Sequence, residues 1–333
     1  MTDTSPTPIQ LSGEGRVTVT VIGESLVDII SEAGYAAPTR VHPGGSPLNV
    51  AVGVSRLNSA VNLVTHYDDD RYGLMIEEHL QSNGVTVIRG GSAPTSRATA
   101  TLAADGAATY EFDISWDLSG ATLPALAAVE TSHHVHTGSI AALLAPGDQA
   151  VLGLLGAAGK RATISFDPNC RPSISPDVGA ARRQAERFTA VSDLVKASDE
   201  DLAWLYPDRT PEESLRTWLD LGPSMAVLTR GPDGPILITR TERVEMTAEA
   251  VTVADTVGAG DSFMAALIAG LAQLEALGAA GRQRLQMLGA GELHALVAYA
   301  NRAAAITCSR PGANPPHMDE LGPLSAIASA KGR

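Results

Sequence analysis

From about residue 130 the sequence alternates short β-prone runs with helical stretches, and this pattern restricts the fold more than any other feature. The strand candidates are Ser132–His136, Ala162–Phe166, Asp193–Lys196 and Met225–Thr229. Helical stretches lie between them at Pro146–Ala158, Val178–Val191 and Pro211–Leu221, the last with Thr210 as its N-cap. Helices of that length between strands imply right-handed crossovers and a mainly parallel sheet. The expected class is therefore α/β, in three layers, with helices on both faces of the sheet.

The first half follows a looser version of the same pattern. Val17–Ile22 reads as a first strand ending at Gly23. The punctuation Pro43–Pro47 precedes an apolar helix, Leu48–Leu57; Val61–His66 reads as a strand and Gly73–Gln81 as a helix. Arg97–Ala103 and Ala107–Ile114 flank Ala104-Asp105-Gly106, and Asp-Gly between β-prone runs signals a hairpin. A hairpin among alternating elements predicts a small sheet outside the main one. Ile236–Thr239 and Arg243–Met246 flank a second turn, a long helix begins near Gly258, and another covers Leu293–Cys308. The Gly/Ala-rich stretch Gly278–Gly291 reads as a loop or insertion, residues 1–15 as a loose tail, and the chain from Pro311 as irregular, with 321–333 a C-terminal tail.

Composition narrows the function. Of 333 residues, 44% are hydrophobic and 18% charged, enough for a sizeable core, while aromatics are only 4%. The net charge of −13 repels phosphate backbones and argues against a nucleic-acid partner. Two cysteines, Cys170 and Cys308, make neither a disulfide scaffold nor a zinc spacing, which suits a reducing, cytoplasmic setting. The apolar run Ala265–Leu274 is far short of the roughly 20 residues a membrane span needs, so no membrane association is expected. His134 and His136 share one face of a strand with His133 opposite, a pattern read as structural rather than metal-binding.

Chemistry concentrates at Asp255-Thr256-Val257-Gly258-Ala259-Gly260-Asp261, followed by the apolar run from Ser262. Glycines allow a tight turn and close approach of a ligand, and the first N–H groups of the helix lack internal acceptors. Such a terminus attracts anions. If the anion is a transferred phosphoryl group, Asp261 beside it can accept the proton of an attacking hydroxyl. The plainer alternative is a tight turn followed by an ordinary helix-start acid.

These residues resemble the C-terminal signature of the ribokinase-like (PfkB) carbohydrate kinases, Asp-Thr-x-Gly-Ala-Gly-Asp. Gly44-Gly45-Ser46-Pro47-Leu48-Asn49-Val50-Ala51 resembles that family's N-terminal glycine pair and Asn-x-Ala. Gly23-Glu24-Ser25-Leu26-Val27-Asp28 is similar to its opening strand and substrate aspartate. The resemblance covers about residues 17–318. It implies one kinase domain at 16–320, with lid strands from about 24–44 and 95–115 closing over a sugar and offering a homodimer contact.

The resemblance also implies roles. Asp261 would be the catalytic base, and the Gly258, Ala259 and Gly260 amides an anion hole. Asp28, Gly44, Gly45 and Asn49 would bind the sugar. Ser198, Thr229, Arg230, Gly231, Gly234 and Asn301 would line an ATP site. Asp255 with the Ser309–Asn314 loop would border a monovalent cation, K+. The family's Asn-x-x-Glu near Mg2+-bound phosphates is here Ser198-Asp199-Glu200-Asp201, a departure that leaves Asp201 to act on the metal indirectly and with shorter reach. Asp167-Pro168-Asn169-Cys170-Arg171 resembles the Asp-x-Asn-x-Arg element of fructokinases and 2-keto-3-deoxygluconate kinases, with Arg171 reaching phosphate or substrate. Keto-acid kinases carry a lid Tyr-x-Arg, whereas Tyr110-Glu111-Phe112 stands here, which favours a neutral sugar, fructose first. The other acceptors the family admits are ketodeoxygluconate, ribose and nucleosides, and a non-catalytic sugar-binding member is the remaining alternative.

Overall fold

The computed structural model describes residues 16–32, 40–102 and 108–325. Its strands are β1 (Thr18–Ile22), β2 (Leu26–Glu32), β3 (Arg40–Gly44), β4 (Ala60–His66), β5 (Val85–Gly90), β6 (Ser96–Leu102) and β7 (Ala108–Asp113), then β8 (His134–Gly138), β9 (Thr163–Asp167), β10 (Leu194–Ser198), β11 (Met225–Thr229), β12 (Ile236–Ile238) and β13 (Arg243–Glu245). One sheet runs in the order β13-β12-β11-β10-β9-β8-β1-β4-β5. Its pairs from β11 through β5 are parallel, and β12 and β13 add antiparallel edges.

Strand alternation divides the core into two halves. Val19, Val21 and Leu63 face the helices Ser46–Arg56, Ala259–Gln273 and Ala290–Cys308. Ile22, Val64, Val135, Ile164, Phe166 and Val195 face the helices Thr122–Thr131, Gly147–Ala158, Val178–Ala190 and Pro211–Leu221. Period-two burial on both faces gives the three layers that the alternation predicts. The strand order reverses between β1 and β8, and the crevice outside the carboxyl ends at such a reversal is where open parallel sheets bind ligands.

A second sheet has the order β3-β2-β6-β7. Strand β2 pairs antiparallel with β3 and parallel with β6, and β6 pairs antiparallel with β7. One row across it reads His42, Asp28, Ala98, Phe112. Residues in register on neighbouring strands share a face, so these four side chains belong to one surface. The turn Ala104-Asp105-Gly106 lies outside the described residues, as do residues 1–15 and 326–333.

Most elements fall within about two residues of the sequence reading, and the Thr210 cap is present as a reciprocal box with Glu213. The clearest difference lies in Gly278–Gly291, expected as a loop or insertion, where Gly278–Gln286 is a helix. Tertiary contacts outweigh its weak propensity. Leu285 is buried, Gly281 packs where a Cβ would meet the Ala276 carbonyl carbon at 2.5 Å, and Arg282 donates to Asp193 at 2.6 Å. The tail expected to be irregular from Pro311 holds a short helix, Met318–Leu321. Strand β5 and the helix Thr122–Thr131 had no counterpart in the reading. Among the described residues no single helix is long and apolar enough to cross a membrane.

Candidate active site

The helix Ala259–Gln273 opens at Gly258, whose φ of 74° is left-handed and whose Cβ would meet that of Ala313 at 2.6 Å. Only glycine suits that position. The Ala259 N–H makes a long turn bond of 3.3 Å to the Thr256 carbonyl. Among the described residues the N–H groups of Gly258 and Gly260 meet no protein acceptor. The free donors are thus those two, and Ala259 is partly committed.

Asp261 follows directly and is 8% exposed. One carboxylate oxygen accepts from Ser46 Oγ at 2.6 Å, the other from Asn49 Nδ2 at 2.8 Å. Both donors sit in the first turn of the helix Ser46–Arg56, which the glycine pair feeds from β3. Asn49, expected on the sugar, is therefore found on Asp261. Ser46 was not singled out in the sequence, because its partner lies more than two hundred residues away.

Gly45 is sterically required, and a side chain on Gly44 would displace the Asp28 carboxylate. A Cβ on Gly44 would lie 2.2 Å from Asp28 Oδ2; Gly45 has φ 108°, and its Cβ would reach the Glu24 carbonyl at 2.6 Å. Burial holds the Asp28 carboxyl above the usual carboxylate range; the positive charges of Arg171 and His42 oppose this, and Asp261 adds to it. Asp28, Arg171, His42 and Asp261 thus share one electrostatic neighbourhood. The Arg171 guanidinium folds back on Asn169 Oδ1 at 2.7 Å and on the Asn169 and Cys170 carbonyls. Beneath, Glu24 is fully enclosed and pushed up to about 7 by burial, against the opposing pull of Ser139, of backbone N–H donors including Ala141 at 3.0 Å, and of Arg171.

On the other side of Gly260 lies a cavity of about 680 Å3. Thr229, Arg230, Gly231, Gly234 and Asn301 all line it, together with Ala259 and Gly260. Gly234, at φ 79°, packs where a Cβ would meet the Met246 carbonyl oxygen at 2.2 Å. Asn301 spends its amide donor on the Thr247 carbonyl at 2.9 Å, fixing the loop that forms one wall. Cys308 is half-buried at the cavity edge.

Three acids remain. The Asp201 carboxylate accepts from Cys170 N–H at 2.7 Å, from Ser198 N–H at 2.9 Å and from Ser198 Oγ at 2.7 Å. It ties the 167–171 loop to a helix start, and it and Ser198 mutually engage. Asp255 accepts from Val257 N–H at 3.1 Å and Gly312 N–H at 2.8 Å, joining the two loops expected around a cation. Asp167 binds Lys196 at 2.8 Å, with both side chains almost fully buried. No motif in the sequence marks Lys196; a lysine inside a β-prone run is the available signal. Among the described residues no cluster of three or more His, Cys, Asp or Glu side chains is arranged to hold a metal alone. His134 bonds Thr163 and Ser165, and His136 bonds the same Ser165, an interior network; burial pushes His134 down to about 3.

Helix-terminal donors thus stand beside a buried carboxylate, between a main-chain-lined cavity and a charged sheet face. Comparison with known proteins gives the family. The chain is 31% identical over 263 residues to a fructokinase from Rhizobium leguminosarum bv. trifolii, covering 75% of this chain and 78% of that one. It is 30% identical over 337 residues to fructokinase-1 of Oryza sativa subsp. japonica, covering 96% and 100%. An uncharacterized sugar kinase from Pyrococcus horikoshii, solved in complex with ATP, superposes with a TM-score of 0.75 at 26% identity over 93% of this chain and 99% of that one. The pattern of the pfkB family carbohydrate kinases matches residues 17–320, and the chain belongs to that family of phosphotransferases acting on sugar hydroxyls.

Proposed function

We propose that this sugar kinase transfers the γ-phosphoryl group of ATP to a hydroxyl of a neutral sugar, fructose first, with Asp261 as catalytic base. The observation that carries this reading is the buried Asp261 carboxylate standing next to the unpaired Gly258 and Gly260 N–H groups. Those donors match the charge that builds on the transferred phosphoryl oxygens. The Asp261 carboxylate takes the hydroxyl proton as the bond to phosphorus forms, and Ser46 and Asn49 aim it.

ATP occupies the 680 Å3 cavity in this reading, with its terminal phosphate toward Gly260. Mg2+, when bound with the nucleotide, would supply charge neutralisation at its phosphates. Asp201, whose buried carboxylate is engaged by the Cys170 and Ser198 N–H groups and by the Ser198 hydroxyl, would act on the metal only indirectly, by ordering the 167–171 loop and the Ser198 helix start. Asp255 braces the loops whose carbonyls would hold K+.

The sugar lies against Asp28 and the Gly44–Gly45 backbone, with Arg171 over it. A neutral acceptor is supported by Phe112 on β7, which stands where the lid Tyr-x-Arg of keto-acid kinases would place a cation to grip a carboxylate. The second sheet acts as the lid that excludes water, and a homodimer through it belongs to the same reading. The test is ADP release with ATP against fructose, ribose, ketodeoxygluconate and nucleosides. Fructose should give the highest kcat/KM; preference for the keto-acid overturns the neutral-sugar assignment, and silence with every acceptor overturns the reading.

A further inference from the structure

The proposed chemistry leaves one buried ion pair unused. Lys196 of β10 holds its ammonium 2.8 Å from the Asp167 carboxylate at the end of β9, with side chains 5% and 3% exposed. Asp167 ends β9, and Lys196 lies two residues before the end of the adjoining parallel strand β10, close to the edge where ligands bind in such sheets. A Cβ on Gly260 would sit 3.5 Å from Lys196 Nζ, so the ammonium rests against the turn that presents the free amides. The Asp201 and Asp261 carboxylates act on it as well; although burial opposes the charge, these acids together with Asp167 hold Lys196 above the usual lysine range.

A buried pair is a weak source of stability compared with apolar side chains of similar size. Its position has a stronger consequence. Asp167, Asp201 and Asp261 all act on one ammonium, and that ammonium lies against the Gly260 turn, so a phosphate arriving there meets a positive group of the protein as well as the acids.

We propose that Lys196 is a catalytic residue whose ammonium contacts the phosphoryl group in transfer, and that Asp167 is the positioning residue that holds it there. The inference rests on the kinase reading above. The acceptor oxygen bonds to the γ-phosphorus, the bond from phosphorus to the β–γ bridging oxygen breaks, the hydroxyl proton passes to Asp261, and ADP leaves. Lys196 exchanges no proton; it offsets charge on the phosphoryl and leaving oxygens.

The test compares Lys196→Met, Lys196→Arg and Asp167→Asn with the wild type in ADP release. Calorimetric binding of ADP alone, and of ADP with aluminium fluoride and sugar, gives a second readout. Lys196→Met should lower kcat about 10²–10³-fold, as loss of one preorganised contact does, with both KM values within about threefold. It should weaken the aluminium fluoride complex by a similar factor and leave ADP affinity within about twofold. Lys196→Arg should recover part of the loss, and Asp167→Asn should fall between. If Lys196→Met does not fold, the same split between the two complexes is read from Lys196→Arg and Asp167→Asn. An active wild type with kcat unchanged in the variants, or equal weakening of both complexes, overturns this proposal alone. A wild type silent with every sugar overturns the kinase reading and this proposal with it.

Discussion

The two sides of the site are built from different material. The cavity proposed for the nucleotide is walled by main chain and small residues such as Gly231, Gly234, Ala259, Gly260, Ala304 and Ala305. The side proposed for the acceptor is a charged surface, with Asp28 and His42 on the second sheet, Arg171 on a loop and Glu24 enclosed. A wall of backbone selects by shape and tolerates few added atoms. A surface of individual charges selects by hydrogen bonding, so a single truncation removes a definable part of recognition. Asp261 and Lys196 stand at the joint, where neither description is sufficient.

This contrast has consequences of different size. The larger concerns Asp28. Asp28→Ala should raise the sugar KM about 10–100-fold, the range for a hydrogen bond to a charged group, while the ATP KM stays put. Equal rises in both constants would erase the division between the two sides. The smaller concerns Glu24 and stability. Its folded-state pKa near 7 exceeds the ordinary 4.5, so between those values the folded chain keeps a proton that the unfolded chain has lost. The stability tied to that proton is full below pH 4.5 and fades as pH rises through 7, by on the order of 3 kcal/mol for a shift of this size. Glu24→Gln carries no such charge. Its melting temperature relative to wild type should therefore rise from pH 5 to pH 8, and a difference that does not change with pH would remove Glu24 as a buried acid of the acceptor side.

The parallel sheet is legible from about residue 130 because its strands there are short β-prone runs and the crossovers between them helices of ordinary length. Asp261, Gly258 and the Gly44–Gly45 pair were legible because tight turns and anion-binding helix starts impose small residues at fixed spacing. What those residues touch was not. Asn49 reads as a sugar ligand from the motif it stands in, and only the packing of the Ser46–Arg56 helix against the Ala259–Gln273 helix puts it on Asp261. The Asp167–Lys196 pair needed the register of two strands separated by a helix. Gly278–Gln286 reads as a loop because its helical state depends on Arg282 and Leu285 finding partners elsewhere in the chain.

The most direct test of the central claim is the single-turnover rate of phosphoryl transfer to fructose in Asp261→Asn, which keeps the shape and removes the base. The rate should fall about 10³-fold with ATP affinity unchanged, the scale of a lost general base. A rate within about threefold of wild type would show that proton removal does not depend on Asp261 and would contradict the account.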